Sequence, residues 1–247
     1  MYFIRNLRRP WTLAFLFASI AVGLIPASGL ALDSDASASV PSLGGAGSFA
    51  VLAGSAVTCT GATVTGDIGV HSAVTVTQTS CPVTGAIHAG DDVATQAYSD
   101  FLVAYDAFKA LPCNATLATL DGQTLPPGVY CFDGAATSTG AVLTLDGPSD
   151  GIWIFQIGTL GVGALTGTNF TVQRRDGAPL PCNSVYWSVA DAVTMTDSTF
   201  GGTILAGAAI TLTRGTFNGN GLAKAGATFT GGALTGCAPG GNSVTAG

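Results

Sequence analysis

Residues 193–202 read VTMTDSTFGG, and the same pattern returns in ITLTRGTFNG (210–219) and again in ATFTGGALTG (227–236). The three copies follow one another at a constant period, in register and without gaps. Repetition at so short a period is typical of a solenoid in which each copy adds one coil. A β-sandwich or an up-and-down barrel would not repeat residue for residue at this spacing. The sequence therefore predicts a stack of β-coils.

Alternation within each copy assigns side chains to the inside or the outside of the coil, because successive residues of a strand point to opposite faces. The apolar residues are predicted to point inward: Val193, Met195, Ile210, Leu212, Ala227 and Phe229, with Phe200, Phe217 and Leu234 filling the core from the next side. The threonines between them are predicted to point outward: Thr194, Thr196, Thr211, Thr213, Thr228 and Thr230, with Thr199 and Thr216 beyond the corner.

A third segment of each coil, at 186–189, 203–206 and 220–223, is apolar without alternation, which is typical of a strand buried on both faces. A different pattern over 91–111 has apolar residues at the spacing of an amphipathic helix. Asp91 suits the start of that helix, and Pro112 ends it. We expect the helix to cover the third segment and to leave the outward threonines exposed.

Composition favours a single exported domain with an uncharged surface. The 247 residues are 47% hydrophobic and only 9% charged, with a net charge of −6. So few basic residues argue against nucleic-acid binding. The predicted domain spans 47–237, between a lead-in at 32–46 and a short tail at 238–247.

The N-terminus has the pattern of a secretory signal peptide over residues 1–31. Three arginines precede an apolar stretch at 11–25, and small residues follow it. Cleavage is expected near Ala31, with Ser28 or Gly29 as alternatives. The mature protein is then secreted, extracellular and free of the membrane, whereas a retained N-terminal anchor is the other interpretation.

Six cysteines follow the signal peptide: Cys59, Cys81, Cys113, Cys131, Cys182 and Cys237. An even number in an exported chain indicates disulfides, whose connectivity the sequence leaves open. The pair Cys113–Cys131 is the first expectation. Neither a CxxC motif nor a Cys/His metal spacing is present, so we expect no metal and no cofactor.

Catalysis is the first alternative, because some parallel β-helices are polysaccharide lyases or hydrolases. Such enzymes need paired carboxylates, and Asp191 and Asp197 are the nearest candidates in the repeat. Asp191 aligns with alanines, however, and Asp197 aligns with Arg214. His71 and His88 lie in no nucleophile motif. We therefore predict no catalytic residues.

The outward threonines form a regular grid. Equivalent residues are about 6.6 Å apart along a strand and about 4.8 Å apart between coils. Hydroxyl and methyl groups at these spacings could hold ordered water and dock it onto ice, and the restricted χ1 of threonine limits the entropy lost. A threonine-coated scaffold is the plainer interpretation, since threonine is also a good strand former.

Residues 48–236 resemble the ice-binding protein family of the irregular β-helix type, the DUF3494-like antifreeze proteins. The segments that carry the resemblance are SFAVLAGS (48–55), TGDIGV (65–70), GAIHAGD (85–91), PGVY (127–130), WIFQI (153–157), VYWSV (185–189) and GTILA (202–206). The resemblance implies a right-handed parallel β-helix (a β-solenoid) of triangular section, with one long α-helix packed alongside. It also implies that the first coil stacks against the last, which could bring Cys59 near Cys237 and weighs against Cys182–Cys237. A loop at Cys182 could still reach Cys237, so these pairs are left open.

The resemblance further implies a secreted antifreeze protein that inhibits ice recrystallisation. Its partners would be the ice surface and ordered water, and we expect a monomer. Relatives often carry Thr-(Ala/Gly)-x-(Thr/Asn) on the ice-binding face, which adds Thr60, Thr63, Thr166 and Asn169 to the candidate contacts. The repeat coils depart from this pattern at Asp197 and Arg214, which could pair with each other. Which face of the solenoid docks is left open.

An extracellular adhesion or glycan-binding scaffold without ice activity is the second functional hypothesis. A secreted threonine-rich solenoid would suit either role. The chain ends soon after Cys237 without a cell-wall anchor motif, which favours a free secreted protein.

Overall fold

The computed structural model describes residues 40–72 and 75–237. The predicted signal peptide (1–31), the first part of the lead-in (32–39) and the tail (238–247) lie outside the described residues. Among the helices of the described part, none combines the length and the apolar character needed to cross a membrane.

The described chain forms a parallel β-helix with one long α-helix, as predicted. Each complete coil contributes a strand to each of three faces, which we name the helix face, the threonine face and the side face. The helix face contains β1 (Phe49–Ala53), β4 (Asp67–Val70), β6 (Ile87–Ala89), β7 (Ala115–Thr116), β9 (Gly128–Phe132), β12 (Trp153–Ile157), β15 (Val185–Val189), β17 (Thr203–Ala206) and β19 (Gly221–Ala223).

The threonine face contains β2 (Val57–Thr60), β5 (Val76–Thr79), β10 (Ala136–Thr139), β13 (Leu165–Thr168), β20 (Ala227–Thr230) and the first halves of β16 (Val193–Gly201) and β18 (Ile210–Asn218). The side face contains β3 (Thr63–Thr65), β8 (Thr124–Leu125), β11 (Val142–Leu145), β14 (Thr171–Arg174), β21 (Ala233–Thr235) and the second halves of β16 and β18.

The order of the coils in space differs from their order in the chain. Strands of the helix face lie in the order β6-β4-β1-β19-β17-β15-β12-β9-β7. The chain therefore begins near one end of the stack, passes to the other end through α1 (Asp92–Lys109), and returns coil by coil. Val51 of β1 pairs with Gly221 of β19, so the last coil stacks on the first, as the resemblance implied.

The interior of the coils is filled by the residues that alternation assigned to it. All nine apolar side chains predicted to point inward are buried. Aromatic rings stack between coils, and the centroids of Phe155 and Trp187 are 4.2 Å apart. The indole N–H of Trp187 donates to the carbonyl of Gly201 at 3.0 Å, so its polar group is satisfied within the core.

A second apolar layer lies between the helix face and α1. Phe101, Tyr105 and Phe108 pack there against residues such as Leu205 and Leu222. The helix predicted over 91–111 is thus present and covers the third segment of the coils, as expected.

Close approach of the helix depends on a glycine. A Cβ at Gly207 would lie 2.6 Å from the hydroxyl oxygen of Tyr105 and would also meet the carbonyl of Ala190. A larger residue would therefore clash with the backbone of the neighbouring coil as well as with the Tyr105 side chain of the helix.

Three disulfides are formed: Cys59–Cys81, Cys113–Cys131 and Cys182–Cys237. The pair Cys113–Cys131 is confirmed. The expected proximity of Cys59 and Cys237 was wrong, although the first and last coils do stack. Cys59 points into the core from β2, whereas Cys237 follows β21 at the corner that leads towards the helix face.

The pair Cys182–Cys237, which the stacking of the coils weighed against but left open, is formed, and the loop at 175–184 explains how. This loop leaves the path of its own coil. Leu180 lies over Gly201, and its Cδ1 is 3.0 Å from the position that a Cβ on Gly201 would take. Cys182 can thereby reach a coil well beyond its own. The Cα atoms of Cys182 and Cys237 are 5.5 Å apart, within the reach of a disulfide.

Candidate functional site

Two ranks of threonines run along the whole threonine face. Strand pairing places one threonine of each rank in every one of seven successive coils. The first rank is Thr137, Thr166, Thr194, Thr211, Thr228, Thr58 and Thr77, and the second is Thr139, Thr168, Thr196, Thr213, Thr230, Thr60 and Thr79. The face is therefore more extensive than the six threonines of the repeat suggested.

The geometry of the face is set by its strands. Pairing along both ranks is parallel and continuous, without a register shift between any two of these strands. At strand spacing the six steps between seven coils span about 29 Å, and the two ranks are about 6.6 Å apart. All fourteen side chains are half-buried or exposed, while most residues between the ranks point into the core. The result is a long surface whose hydroxyl and methyl groups are fixed by the packing beneath them.

Eight of the twelve predicted contact residues lie in these ranks: Thr60, Thr166, Thr194, Thr196, Thr211, Thr213, Thr228 and Thr230. Three others, Thr63, Thr199 and Thr216, lie on the side face. Asn169 lies at the corner between the two faces, with a φ of 50°. The structure therefore divides the predicted residues between the threonine face and the neighbouring side face.

The two segments that match the family pattern, 60–63 and 166–169, are out of register with each other. Thr166 is equivalent to Thr58, and Thr168 is equivalent to Thr60. The segment that corresponds to residues 60–63 is therefore 168–171. Asn169 occupies the position of Gly61, where the chain turns the corner.

Six threonines of the ranks were missed: Thr58, Thr77, Thr79, Thr137, Thr139 and Thr168. A signal for them exists in the sequence. Every strand of the face has an apolar residue followed by Thr-x-Thr, as in VTCT (57–60), VTQT (76–79), ATST (136–139) and LTGT (165–168). These copies do not share the constant period of the repeat, so the period that revealed the other coils did not include them.

The side face lacks this uniformity. Its first row consists of Val142, Thr171, Thr199, Thr216, Ala233 and Thr63. The next row includes Gln173, Gly201 and Asn218 among its threonines. A mixture of side-chain sizes makes this surface less regular than the threonine face.

The corner between the threonine face and the side face is a column of residues with positive φ. From one end to the other they are Gly140 (63°), Asn169 (50°), Asp197 (51°), Arg214 (56°), Gly231 (64°), Gly61 (60°) and Ser80 (50°). Glycine and asparagine adopt this conformation readily, whereas arginine rarely does. The same backbone conformation therefore recurs in all seven coils, and it ends the threonine face at the equivalent position of each.

Charge is confined to the margin of the threonine face. The strand segments that form the face contain no charged residue. At the corner, Arg214 donates from Nε and Nη2 to the two carboxylate oxygens of Asp197 at 2.5 and 2.6 Å. The hydrogen bond from Arg214 lowers the pKa of Asp197, and the same bond raises the pKa of Arg214. The pairing that the sequence allowed is thus formed.

The side chains considered for catalysis have structural partners. A carboxylate oxygen of Asp191 accepts the backbone N–H of Gly163 at 2.7 Å. His88 Nδ1 lies 2.7 Å from Oδ2 of Asp91, and the ring of His71 stacks on Tyr98 at 4.5 Å. Across residues 40–72 and 75–237, no cluster of three or more His, Cys, Asp or Glu side chains is placed to hold a metal ion.

A model of the ice-binding-like family matches residues 51–232. The chain is 38% identical to an ice-binding protein of Nostoc sp. (strain HG1) over 68% of this chain and 63% of that relative, so it spans less than two thirds of the relative's length. It is 31% identical to ice-binding protein K3-B1 of Typhula ishikariensis, over 78% of this chain and 88% of the relative.

A similar solved structure is the ice-binding protein of the Antarctic ascomycete Antarctomyces psychrotrophicus. The two superpose with a TM-score of 0.71 at 34% identity, over 78% of this chain and 97% of that one. The similarity therefore includes both the sequence and the arrangement of the coils.

Proposed function

This chain belongs to the ice-binding-like family, and from that premise we propose that it binds ice through its threonine face. The observation that carries the proposal is the pair of seven-membered threonine ranks on one uncharged, unbroken surface. Within the described strands, no other exposed surface repeats one side chain in every coil. The activity is binding to ice and its ordered water rather than catalysis.

The mechanism follows from the rigidity of the grid. Each rank is held by strand pairing, and the residues between the ranks are anchored in the core. Branching at Cβ restricts the χ1 rotamers of threonine, so little side-chain entropy remains to be lost when the face meets a crystal. Methyl groups leave neighbouring water without strong partners, while hydroxyl groups fix its positions. Water ordered in this way can merge with the surface of growing ice.

The proposed function also bears on the location of the protein. We propose that residues 1–31 direct export and that the mature chain acts outside the cell as a monomer. Three disulfides are consistent with an oxidising compartment. Size-exclusion chromatography of the mature protein, together with N-terminal sequencing of the secreted form, tests both parts of this proposal.

The face is tested by Thr213→Tyr, with Thr216→Tyr as the matched control. Thr213 lies in the middle of the second rank, whereas Thr216 lies further along β18 on the side face. A tyrosine ring at 213 would hold the face away from ice. We expect Thr213→Tyr to remove most thermal hysteresis and crystal shaping, and Thr216→Tyr to retain both, with unchanged circular dichroism for the two variants.

The result that would contradict the proposed face is unchanged ice shaping by Thr213→Tyr. Loss of activity in Thr216→Tyr alone would move the site to the side face. If the wild-type protein itself gives neither hysteresis nor recrystallisation inhibition, ice binding is wrong, and adhesion or glycan binding becomes the function to test.

A further inference from the structure

One ion pair interrupts the otherwise uncharged surface that extends over the threonine face and the side face. Among the strand residues of these two faces, the charged ones are Asp197, Arg214 and Arg174, and Arg174 is buried. Asp197 and Arg214 occupy the third and fourth positions of the seven-residue corner column, with side chains 37% and 57% exposed. The pair therefore forms a charged ridge at the centre of the edge.

Threonines lie directly on both sides of this ridge. Thr196 and Thr213 precede it on the threonine face, and Thr199 and Thr216 follow it on the side face. Strands β16 and β18 continue through the corner, with pairing interrupted only between Asp197 and Arg214. The two threonine sets are therefore parts of the same strands, separated by the charged pair and by the following Ser198 and Gly215.

An exposed ion pair orients the water around it differently from a methyl or hydroxyl group. Carboxylate and guanidinium groups bind their hydration water by directed, charge-assisted hydrogen bonds. That water cannot also take the positions of an ice lattice. Because the two charges lie adjacent at the corner, they break any layer of ordered water that would extend from Thr196 and Thr213 to Thr199 and Thr216.

We propose that the Asp197–Arg214 pair determines specificity by confining ice docking to the threonine face and excluding the side-face threonines from it. This inference rests on the proposed function. The two charges also neutralise each other. Asp197 alone or Arg214 alone would hold its hydration water more strongly than the bidentate pair does. Removing both charges is thus expected to broaden the set of ice planes bound, whereas removing one is expected to weaken binding.

The substitution that tests the ridge is Asp197→Gly together with Arg214→Gly. Gly231 and Gly61 already occupy the next two positions of the column with φ values of 64° and 60°, so glycine fits the backbone here. A second variant, Asp197→Asn with Arg214→Asn, introduces the residue found at Asn169 and serves if the glycine variant does not fold. The matched control is Asp146→Ala with Arg175→Ala, because that exposed pair, at 2.6 Å, lies away from this corner.

The measurement is the pattern of planes that fluorescently labelled protein marks on a single-crystal ice hemisphere. We expect the double-glycine variant to mark at least one set of planes that the wild type does not, and the Asp146/Arg175 control to mark the wild-type set. Adding Thr216→Tyr to the double-glycine variant should remove the new planes, although Thr216→Tyr alone has no effect. Arg214→Gly alone should raise severalfold the concentration needed to inhibit recrystallisation.

Failure of this inference can be distinguished from failure of the proposed function. If the wild type marks planes and the double variants mark the same ones, the ridge does not determine specificity, while the proposed function stands. If the wild type marks no plane at all, the proposed function fails and the inference fails with it.

Discussion

Along the strands of the threonine face, alternate residues have different roles, and the exposed Gln78 of β5 is an exception. Residues of one parity fill the core, and residues of the other parity form the ranks. The distinction is sharp in β18, where Leu212 is 8% exposed and the threonines on either side of it are half-buried on the outside. A shift by a single residue would bury hydroxyls and expose the apolar core.

Replacing Leu212 with Asp should unfold the stack. The substitution removes a buried leucine, which alone costs about 2–5 kcal/mol, and it places an unpaired carboxylate among apolar side chains. Thr211→Asp is the matched control, because it adds the same charge one residue earlier on the outer surface. Chemical denaturation followed by circular dichroism should show Thr211→Asp to be folded, and a native-like Leu212→Asp protein would refute the inward assignment.

For single residues, the sequence predicts well which way a strand side chain points, but it predicts poorly where a strand ends at a corner. Alternation assigned Thr194 and Met195 to opposite sides because period two is a property of any strand. It could not place Asn169, because a positive φ at the corner depends on where the strand ends. The motif match at 166–169 was out of register with the one at 60–63, so it did not show where strand β13 ends.

The helix α1 is the element that closes the helix face, and its first turn is fixed by one carboxylate. Asp91 accepts the N–H of Ala94 at 2.8 Å and lies 2.7 Å from Nδ1 of His88. The bond from Ala94, followed by that from His88, lowers the pKa of Asp91 from its usual 3.8. The negative charge is also favoured at the N-terminus of a helix.

The capping predicts a dependence on pH with a definite sign. Since the pKa of Asp91 is lowered in the folded protein, its contribution is complete above pH 3.8 and is lost as the pH falls through the lowered value. Asp91→Asn keeps an acceptor for Ala94 but does not titrate. Thermal unfolding should find this variant less stable than the wild type at neutral pH, with a difference that narrows in acid. A difference independent of pH would exclude a role for the charge.

Elements were predictable where the coils are of equal length. Equivalent threonines of β16, β18 and β20 follow one another at the constant period that the repeat indicated. Between β10, β13 and β16 the coils are longer and unequal, because the loops at 146–152, 158–164 and 175–184 extend beyond the coil. Loops tolerate such insertions while the strands keep their pairing, so a fixed period cannot reveal these coils.

In the molecule as a whole, the disulfide Cys182–Cys237 ties the coil of β15 to the end of the last coil. The bridge closes a loop of 55 residues that contains three successive coils of the repeat. Restricting the unfolded chain over a loop of this length is worth about 4 kcal/mol on chain-entropy grounds.

Replacing Cys182 and Cys237 with Ala should therefore destabilise the whole β-helix. Denaturant unfolding should show a lower free energy of unfolding, by roughly 2–5 kcal/mol, while the native protein keeps its circular dichroism. The matched control is the double alanine variant of Cys113 and Cys131, whose shorter loop of 18 residues predicts a smaller loss. A larger loss in the control would mean that loop length does not govern these bridges.

The stacking of the last coil on the first has a consequence for how the protein is made. Ribosomes deliver β1 early, yet one of its two partners, β19, is synthesised only after most of the other coils. Until then the opening coils present an unpaired strand edge, which is a site for aggregation. Contacts so distant in the chain also form slowly. The nascent chain therefore cannot complete its fold in the order of its synthesis, because the first coil gains its second partner only once β19, β20 and β21 have been synthesised.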